Sequence, residues 1–408
     1  MFINLNQLNT RKKHELQSQI DYGLQQLYYL LFPGVENMRN LLSRPNVTNT
    51  MIKFFLFDIS VGVVSPNTDT LYGIAVCDLT HHQDVTITIP PSNRYYSLQF
   101  IDCWCHNFAY LLNTSPPGTY TMRYSKDKEK KGIEGFTIYS PAKLCLILTR
   151  VYANYYSQED ILQADEVLME IMVNGTVTDN PIGKTEVNPK FSPVDVTFFL
   201  RRALQLNKYQ PIVPSALLEK ILSSINLTDR CFVPFSQGQA SIETVLATPN
   251  DFSPTGTGWS LYAANLATTA IEFAITQWQG LYANDDQIAL YFFNSYSLDG
   301  SRYNGAINSY TMLLGQAPCT ASFWSINCYD LNGNIPFGTR RPLVGTSSQP
   351  IVNEDGSITL YFISNNSPLN DVLPMNNILN IPSASCVFIM RVYSPTCPYT
   401  PPTIHVMK

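Results

Sequence analysis

The chain has 408 residues and a formal net charge of −5; 45% of its residues are hydrophobic and only 14% are charged, against roughly 25% charged in typical globular proteins. With no basic excess to attract phosphates, nucleic acid is not expected as a partner, and no apolar run reaches the ~18 residues of a membrane span. A surface of neutral Asn, Thr, Ser and Tyr side chains suits contact with glycans or with protein neighbours.

The first residues, "MFINLNQLNTRKKHELQ", lack the apolar core of a secretory signal, which predicts cytosolic synthesis. The nine cysteines are odd in number, scattered and without CxxC pairs, so we expect free, mostly buried thiols rather than a disulfide framework. No phosphate-binding glycine loop or Rossmann fingerprint occurs, so no cofactor is expected.

In chain order, the leucine spacing predicts an N-terminal helical segment over residues 1–50, with the main helix at 10–31. From 51 to 155, short runs such as "TLYGIAVCDL" and "VTITIP" alternate with turns about every ten residues. This spacing is typical of an antiparallel β-sandwich.

A largely helical connector is predicted over 156–280. It opens with the capping box "SQED" and includes one longer helix over "WSLYAANLATTAIEFAITQWQGLY". Residues 281–397 return to β-type runs, with hairpin turns at "LNGN" and "NEDGS". The Pro-rich end, 398–408, is predicted to be an extended arm on its own domain or on a neighbour. The expected fold class is therefore mainly β with a helical connector.

Asp69, in "SPNTDTLYG", and Asp102 are the candidate catalytic carboxylates. A glycosidase needs two such groups ~5 to 9.5 Å apart. The alternative for this stretch is a structural turn, in which Pro66 fixes φ while Asn67 and Asp69 accept backbone N–H bonds. The residue types favour the turn, and the scarcity of histidine argues against His-based catalysis.

"CWCHN" contains zinc-binding residue types, but strand alternation places His106 opposite Cys103 and Cys105, so no metal site is predicted. Arginines beside apolar strands, such as Arg94 and Arg150, are expected to be partly buried and paired with carboxylates. Aromatic side chains are candidates for either sugar stacking or core packing. The candidate binding residues are Asn67, Tyr72, Arg94, Tyr96, Trp324 and Tyr329.

"SPNTDTLYG…CDL…RYYSLQFID" resembles the family of domains of unknown function numbered twelve fifty-four. "SLDGSRYNG", "FWSINCYDLNG", "NEDGSITLY" and "MRVYSP" resemble its usual partner, numbered twelve fourteen. The chain looks like a divergent member, because the family's Asn-Trp-Leu-Pro is "NDVLP" here. The positions that match in the first half are Pro66, Asn67, Asp69, Thr70, Tyr72, Asp78, Leu79, Arg94, Tyr95, Tyr96 and Asp102.

The resemblance implies an immunoglobulin-like β-sandwich joined through helices to a jelly-roll-like β-sandwich, in an oligomeric protein of unassigned biochemical role. We expect a non-enzymatic structural or binding protein that contacts glycans or repeated protein neighbours in a larger assembly, such as a virus particle. The alternative is a hydrolase of glycans or glycoconjugates that uses Asp69 and Asp102 as acid and base.

Overall fold

The structure is a computed structural model and is mainly β, with few helices. The residues that it describes are 34–35, 38–43, 48–54, 65–80, 84–127, 130–177, 194–195, 203, 205–210, 232–233, 255–267, 273, 276–277, 280–331, 333–336 and 338–407.

The first half contains two five-stranded sheets, with strand orders β1-β2-β9-β4-β5 and β10-β3-β6-β8-β7. Phe100 and Ile147 from the first sheet share one buried apolar cluster with Ile87 and Met122 from the second, so the two sheets pack face to face. The strands are β1 (Ile52–Phe54), β2 (Thr70–Asp78), β3 (Val85–Ile89), β4 (Tyr96–Asp102), β5 (Asn107–Leu112), β6 (Gly118–Tyr124), β7 (Gly132–Glu134), β8 (Thr137–Ser140), β9 (Leu144–Tyr152) and β10 (Met172–Asn174).

The second half repeats this layered arrangement. One sheet has the order β13-β14-β21-β17-β18, with β15 also paired to β21, and the other has the order β20-β19-β16-β22. Ile326 and Met390 of the first sheet and Leu360 of the second lie in one buried cluster. The strands are β13 (Ser260–Tyr262), β14 (Ala289–Asn294), β15 (Tyr303–Asn304), β16 (Tyr310–Leu314), β17 (Trp324–Tyr329), β18 (Leu343–Gly345), β19 (Ile358–Ser364), β20 (Ile378–Ile381), β21 (Ser385–Tyr393) and β22 (His405–Val406). A separate two-stranded ladder joins β11 (Val194–Asp195) to β12 (Phe232–Val233).

The two halves contact each other through one sheet of each. Strand β9 lies at the centre of its sheet; Ile147 and Val151 face its own core, whereas Arg150 bonds to residues of the second half. Strand β21 mirrors this, with Met390 in its own core and Arg391 bonded to the first half. Both strands are therefore buried on two faces, which explains their long apolar runs.

Helix α1 (Gln158–Glu170) begins where the capping box predicted, and the Ser157 side chain accepts a hydrogen bond from the Asp160 N–H. The longer helix predicted from Trp259 onward is wrong at its start. Ser260–Tyr262 is strand β13, because the segment pairs with β14, and a 3₁₀ turn, Ala264–Leu266, follows it. Tertiary pairing overrides the helical spacing here. Farther along the same predicted segment, the described residues Phe273, Thr276 and Gln277 are helical.

The predicted helix over 10–31 and most of the predicted connector lie outside the described residues. Within the described part, no helix has the length and apolar character needed to cross a membrane. The C-terminal arm lies on its own domain: β22 pairs with β16, Ile404 is buried in the core, and the Trp259 indole N–H donates to the Pro402 carbonyl.

Candidate functional site

The segment "SPNTD" contacts β17 and β21 of the second half. The carbonyl of Ser65 accepts a hydrogen bond from Arg391, and the carbonyl of Pro66 accepts one from the Tyr329 hydroxyl at 2.8 Å. Ser65 has a positive φ of 51°, an uncommon conformation for a non-glycine residue. Two backbone carbonyls of this turn thus accept hydrogen bonds from side chains of the second half.

The side chains of the same segment are also used in this contact. The Asn327 amide donates to the Thr68 hydroxyl at 2.7 Å. The Ser325 hydroxyl lies 3.4 Å from Oδ1 of Asn67 and 3.5 Å from Oδ1 of Asp69. The turn predicted from sequence therefore has a further role, because it joins the two halves of the molecule.

Asp69 is fully buried and its Oδ2 has no hydrogen-bond partner among the described residues. Burial raises the pKa of Asp69 to about 7, although the Arg391 charge and the Ser325 hydrogen bond oppose the shift. The carboxyl thus changes protonation near neutral pH.

Two buried arginines flank this interface, one from each half. The Arg150 guanidinium donates to Oε1 of Gln99 at 2.7 Å, to Oδ1 of Asn284 at 3.3 Å and to the carbonyl of Tyr282 at 3.0 Å. Arg391 likewise donates to neutral oxygens. Neither arginine forms a salt bridge with a described carboxylate. The expected pairing with aspartates is therefore wrong for Arg150, whereas Arg94 pairs with Asp160 as expected. Burial alone would lower the pKa of Arg391, but neighbouring tyrosines, Tyr329 first, raise it, so the group stays charged.

A cavity of about 30 Å³ lies between the two halves, beside both arginines. Tyr282, one of its lining residues, has a φ of 62°, which is unusual for a bulky side chain, and its carbonyl faces Arg150. The lining residues are Ser65, Tyr72, Arg150, Tyr262, Thr276, Gly280, Leu281, Tyr282, Ala283, Tyr291, Phe293, Arg391 and Tyr393.

The structure does not bring Asp69 and Asp102 together. The carbonyl of Asp69 accepts from Ala153, whereas Asp102 pairs with Cys145 near the other end of β9. The eight residue steps from Cys145 to Ala153, at ~3.3 Å each, separate the two backbones by ~26 Å. A pair of carboxylates this far apart cannot act on one glycosidic bond, so this geometry does not support the predicted acid and base pair.

Asp102 organises the turn that follows β4. Its Oδ1 accepts from the N–H groups of Trp104 and His106, each at 2.9 Å, and its Oδ2 accepts from Nε2 of Gln210 at 2.7 Å. Across the described ranges, no group of three or more His, Cys, Asp or Glu side chains is placed to hold a metal ion.

The other candidate binding residues divide between this interface and the two cores. Arg94 forms a two-pronged ion pair with Asp160 of α1, at 2.8 Å for each bond. Tyr96 is buried and donates to the Pro90 carbonyl, and Trp324 is buried in the core of the second half. Tyr96 and Trp324 are thus enclosed in the cores and Arg94 is only partly exposed, whereas Asn67, Tyr72 and Tyr329 belong to the interface.

Sequence reasoning did not single out Ser325, Asn327 or Asn284, which complete the interface. The signal for the first two is present in "WSINCY", where small polar side chains alternate with apolar ones on a strand. Both are fully buried, because the polar face of β17 meets the other domain rather than solvent.

Comparison with known proteins gives families without an assigned function. Residues 49–173 match the model described as protein of unknown function DUF1254, and residues 288–397 match the one described as protein of unknown function DUF1214. No curated protein matches the chain.

Two solved structures are similar to this one. The VPA0106 protein from Vibrio parahaemolyticus is 16% identical, with a TM-score of 0.63 over 95% of this chain and 100% of that one. A putative uncharacterized protein from Burkholderia cenocepacia is 11% identical, with a TM-score of 0.49 over 98% of this chain and 90% of that one. The first likeness shows a shared fold. The chain thus carries an N-terminal domain of the DUF1254 family followed by a C-terminal domain of the DUF1214 family.

Proposed function

We propose that the chain is a non-enzymatic structural or binding protein that contacts copies of itself, or glycans, within a larger assembly such as a virus particle. In this proposal the first half is an immunoglobulin-like β-sandwich and the second a jelly-roll-like one. The observation that carries it is the location of "SPNTDTLYG", the segment that resembles the family. Asn67, Thr68 and Asp69 of this segment are buried against the second half, so they join the two domains rather than face a substrate.

The hydrolase alternative receives no support from this geometry. The backbones of its two acidic residues, Asp69 and Asp102, lie ~26 Å apart by strand spacing, and both side chains are buried, with exposures of 0% and 5%. A glycosidase acid and base must instead flank one bond in an open cleft.

An exposed apolar patch on the second half supports assembly with other copies. Ile351, Val352 and Met375 are 56%, 55% and 57% exposed, and we call them the 351/375 patch. Asn377, two residues after Met375, brings the two parts of the patch together. Its side chain accepts a hydrogen bond from the Ile351 N–H and donates one to the Ile351 carbonyl. Scattered exposed apolar side chains are ordinary, whereas a grouped set favours a protein contact.

The test is the mass of the full chain in solution, measured by light scattering over a hundredfold concentration range. We expect an oligomer whose mass falls when Val352→Glu and Met375→Glu place charges in the patch. Leu162→Glu, at a side chain of α1 that is 57% exposed, is the matched control and should leave the mass unchanged.

A glycan-array screen of the same samples tests for glycan binding, the other contact in the proposal. A chain that stays monomeric at every concentration and retains no glycan would overturn the proposal. Release of free sugar from a retained glycan would favour the hydrolase alternative, and the site would then have to lie away from the Asp69 and Asp102 pair.

A further inference from the structure

Among the described residues, the side chains of Arg150, Arg391 and the tyrosines that line the cavity offer hydrogen-bond donors in excess of the acceptors they contact. A guanidinium has five N–H groups. Arg150 makes three hydrogen bonds and Arg391 makes three, all to neutral oxygens. Each arginine, 4% exposed, thus retains two N–H groups without an acceptor among the described residues.

Three tyrosine hydroxyls on the cavity wall add to this excess. The Tyr72 oxygen accepts from the Asn67 N–H at 2.9 Å, the Tyr291 oxygen from the Asn284 amide at 2.7 Å, and the Tyr393 oxygen from the Asn67 amide at 3.5 Å. A hydroxyl that accepts still has its own proton to donate. Within the described part of the chain, none of the three donates to another group.

The charge around the cavity is also unbalanced. Among the described residues, neither buried guanidinium has a carboxylate within ion-pair distance, and the buried Asp69 carboxyl near Arg391 is partly protonated at neutral pH. A buried cation without a counter-charge is costly, so an anion in the cavity would stabilise the folded protein. Water satisfies such a site less well, since it brings as many donors as acceptors and no charge.

We propose that this cavity, between Arg150 and Arg391, is a binding site for a small carboxylate of the size of formate or acetate. The volume of about 30 Å³ leaves room for one or two water-sized groups, which a planar carboxylate with two oxygens fills. Guanidinium groups bind such oxygens in pairs, and the tyrosine hydroxyls supply further donors. The site is independent of the assembly role proposed above, because it lies inside one chain.

The test uses the full chain and ¹³C-formate. Binding is measured by the NMR linewidth of the labelled formate and by the midpoint of thermal unfolding, with ionic strength held constant. We expect saturable binding and a rise in the midpoint of several degrees with formate or acetate, since a ligand that binds only the folded state stabilises it. Equimolar phosphate or chloride should give a much smaller rise.

Variants locate the site. Arg150→Met should weaken formate binding at least tenfold, whereas Arg123→Met, at an exposed arginine of β6, should leave it unchanged. Tyr72→Phe removes one donor and should weaken formate binding several-fold. If Arg150→Met does not fold, this variant alone tests whether formate binds in the cavity.

Three results would overturn the proposal. They are no saturable binding up to 100 mM formate, equal binding of chloride or phosphate, and unchanged affinity in either cavity variant.

Discussion

The hydroxyl of Tyr329 donates to the carbonyl of Pro66 across the domain interface, with 2.8 Å between the two oxygens. The same phenolic oxygen accepts from Nη1 of Arg391 at 2.9 Å. One hydroxyl thus connects the turn of the first half to the buried charge of the second. Arg391 is buried and Pro66 is partly buried, so loss of the hydroxyl removes an acceptor from the guanidinium and a donor from the carbonyl, with little water to replace them.

Tyr329→Phe is therefore expected to destabilise the protein by about 3 kcal/mol, since one of the two lost bonds involves a charged donor. The free energy of urea unfolding measures this. Tyr361→Phe is the matched control, because the Tyr361 hydroxyl on β19 makes no hydrogen bond with the described residues and its loss should change little. Equal effects of the two substitutions would contradict the role assigned to Tyr329.

Asp69 predicts a specific dependence of stability on pH. Its pKa is raised from 3.8 to about 7 in the folded state, so the folded protein binds more protons than the unfolded chain between these values. Stability should thus fall as pH rises from about 4 to about 7, by about 4 kcal/mol at 1.36 kcal/mol per unit, and then level off. Urea unfolding at a series of pH values measures this.

Asp69→Asn should remove that component of the pH dependence. The neutral amide resembles the protonated acid in shape, so the variant should be more stable than the parent above pH 7 and similar to it near pH 4. Asp84→Asn, at an exposed aspartate, controls for the change in net charge. A parent protein whose stability rises from pH 4 to 7 more steeply than that of Asp69→Asn would show that Asp69 is ionised and paired.

Much of the fold could be predicted from sequence, because its strands have simple patterns. The alternation in "VTITI" and the turns around it predicted β3, and the capping box predicted α1. Strand β10 was missed because its residues pair with β3, about 85 positions earlier in the chain. Strand β5 pairs with the preceding strand β4, but its sequence "NFAYLL" has no clean alternation to indicate a strand. The segment that begins at Trp259 was predicted to be helical because its pairing with β14, about 30 positions later, is not visible in its local pattern.

The site could be predicted only in part. The sequence identified Asn67 and Asp69 as a turn, which the local chemistry of Asn and Asp supports. It could not show that β17 and β21 cover this turn, because the contacts join residues about 260 positions apart for β17 and 326 apart for β21. The same limit applies to Asp69 and Asp102: a sequence cannot show whether two such residues meet, and the structure places them beside opposite ends of β9.

The Arg94–Asp160 and Arg123–Asp84 ion pairs have similar geometry but differ in exposure. Both bonds of the Arg94–Asp160 pair are 2.8 Å, and the side chains are 15% and 28% exposed. The Arg123–Asp84 pair has bonds of 2.9 and 2.7 Å but exposures of 57% and 42%. Arg94→Met should cost about 1–2 kcal/mol, whereas Arg123→Met should leave the unfolding free energy unchanged within error, since solvent screens exposed pairs.

The pH dependence of the Arg94 pair has the opposite sign to that of Asp69. Arg94 lowers the pKa of Asp160, so the stabilisation is present above the unfolded pKa and is lost as pH falls through the folded one. The difference between the parent and Arg94→Met should therefore shrink in acid. A difference that stays constant from pH 7 to pH 2 would mean that packing of the Arg94 stem, rather than its charge, is what stabilises the protein.

Asp102 is predicted to be a structural residue of the turn after β4. Asp102→Ala removes the acceptor for two backbone N–H groups and the Gln210 amide, so we expect a loss of about 3 kcal/mol in urea unfolding. Asp299→Ala is the control, because Asp299 also accepts a backbone N–H, that of Ser301, but in an exposed turn, and its loss should cost much less. Unchanged stability in Asp102→Ala would contradict this structural role, and Asp102 would again be a candidate catalytic residue.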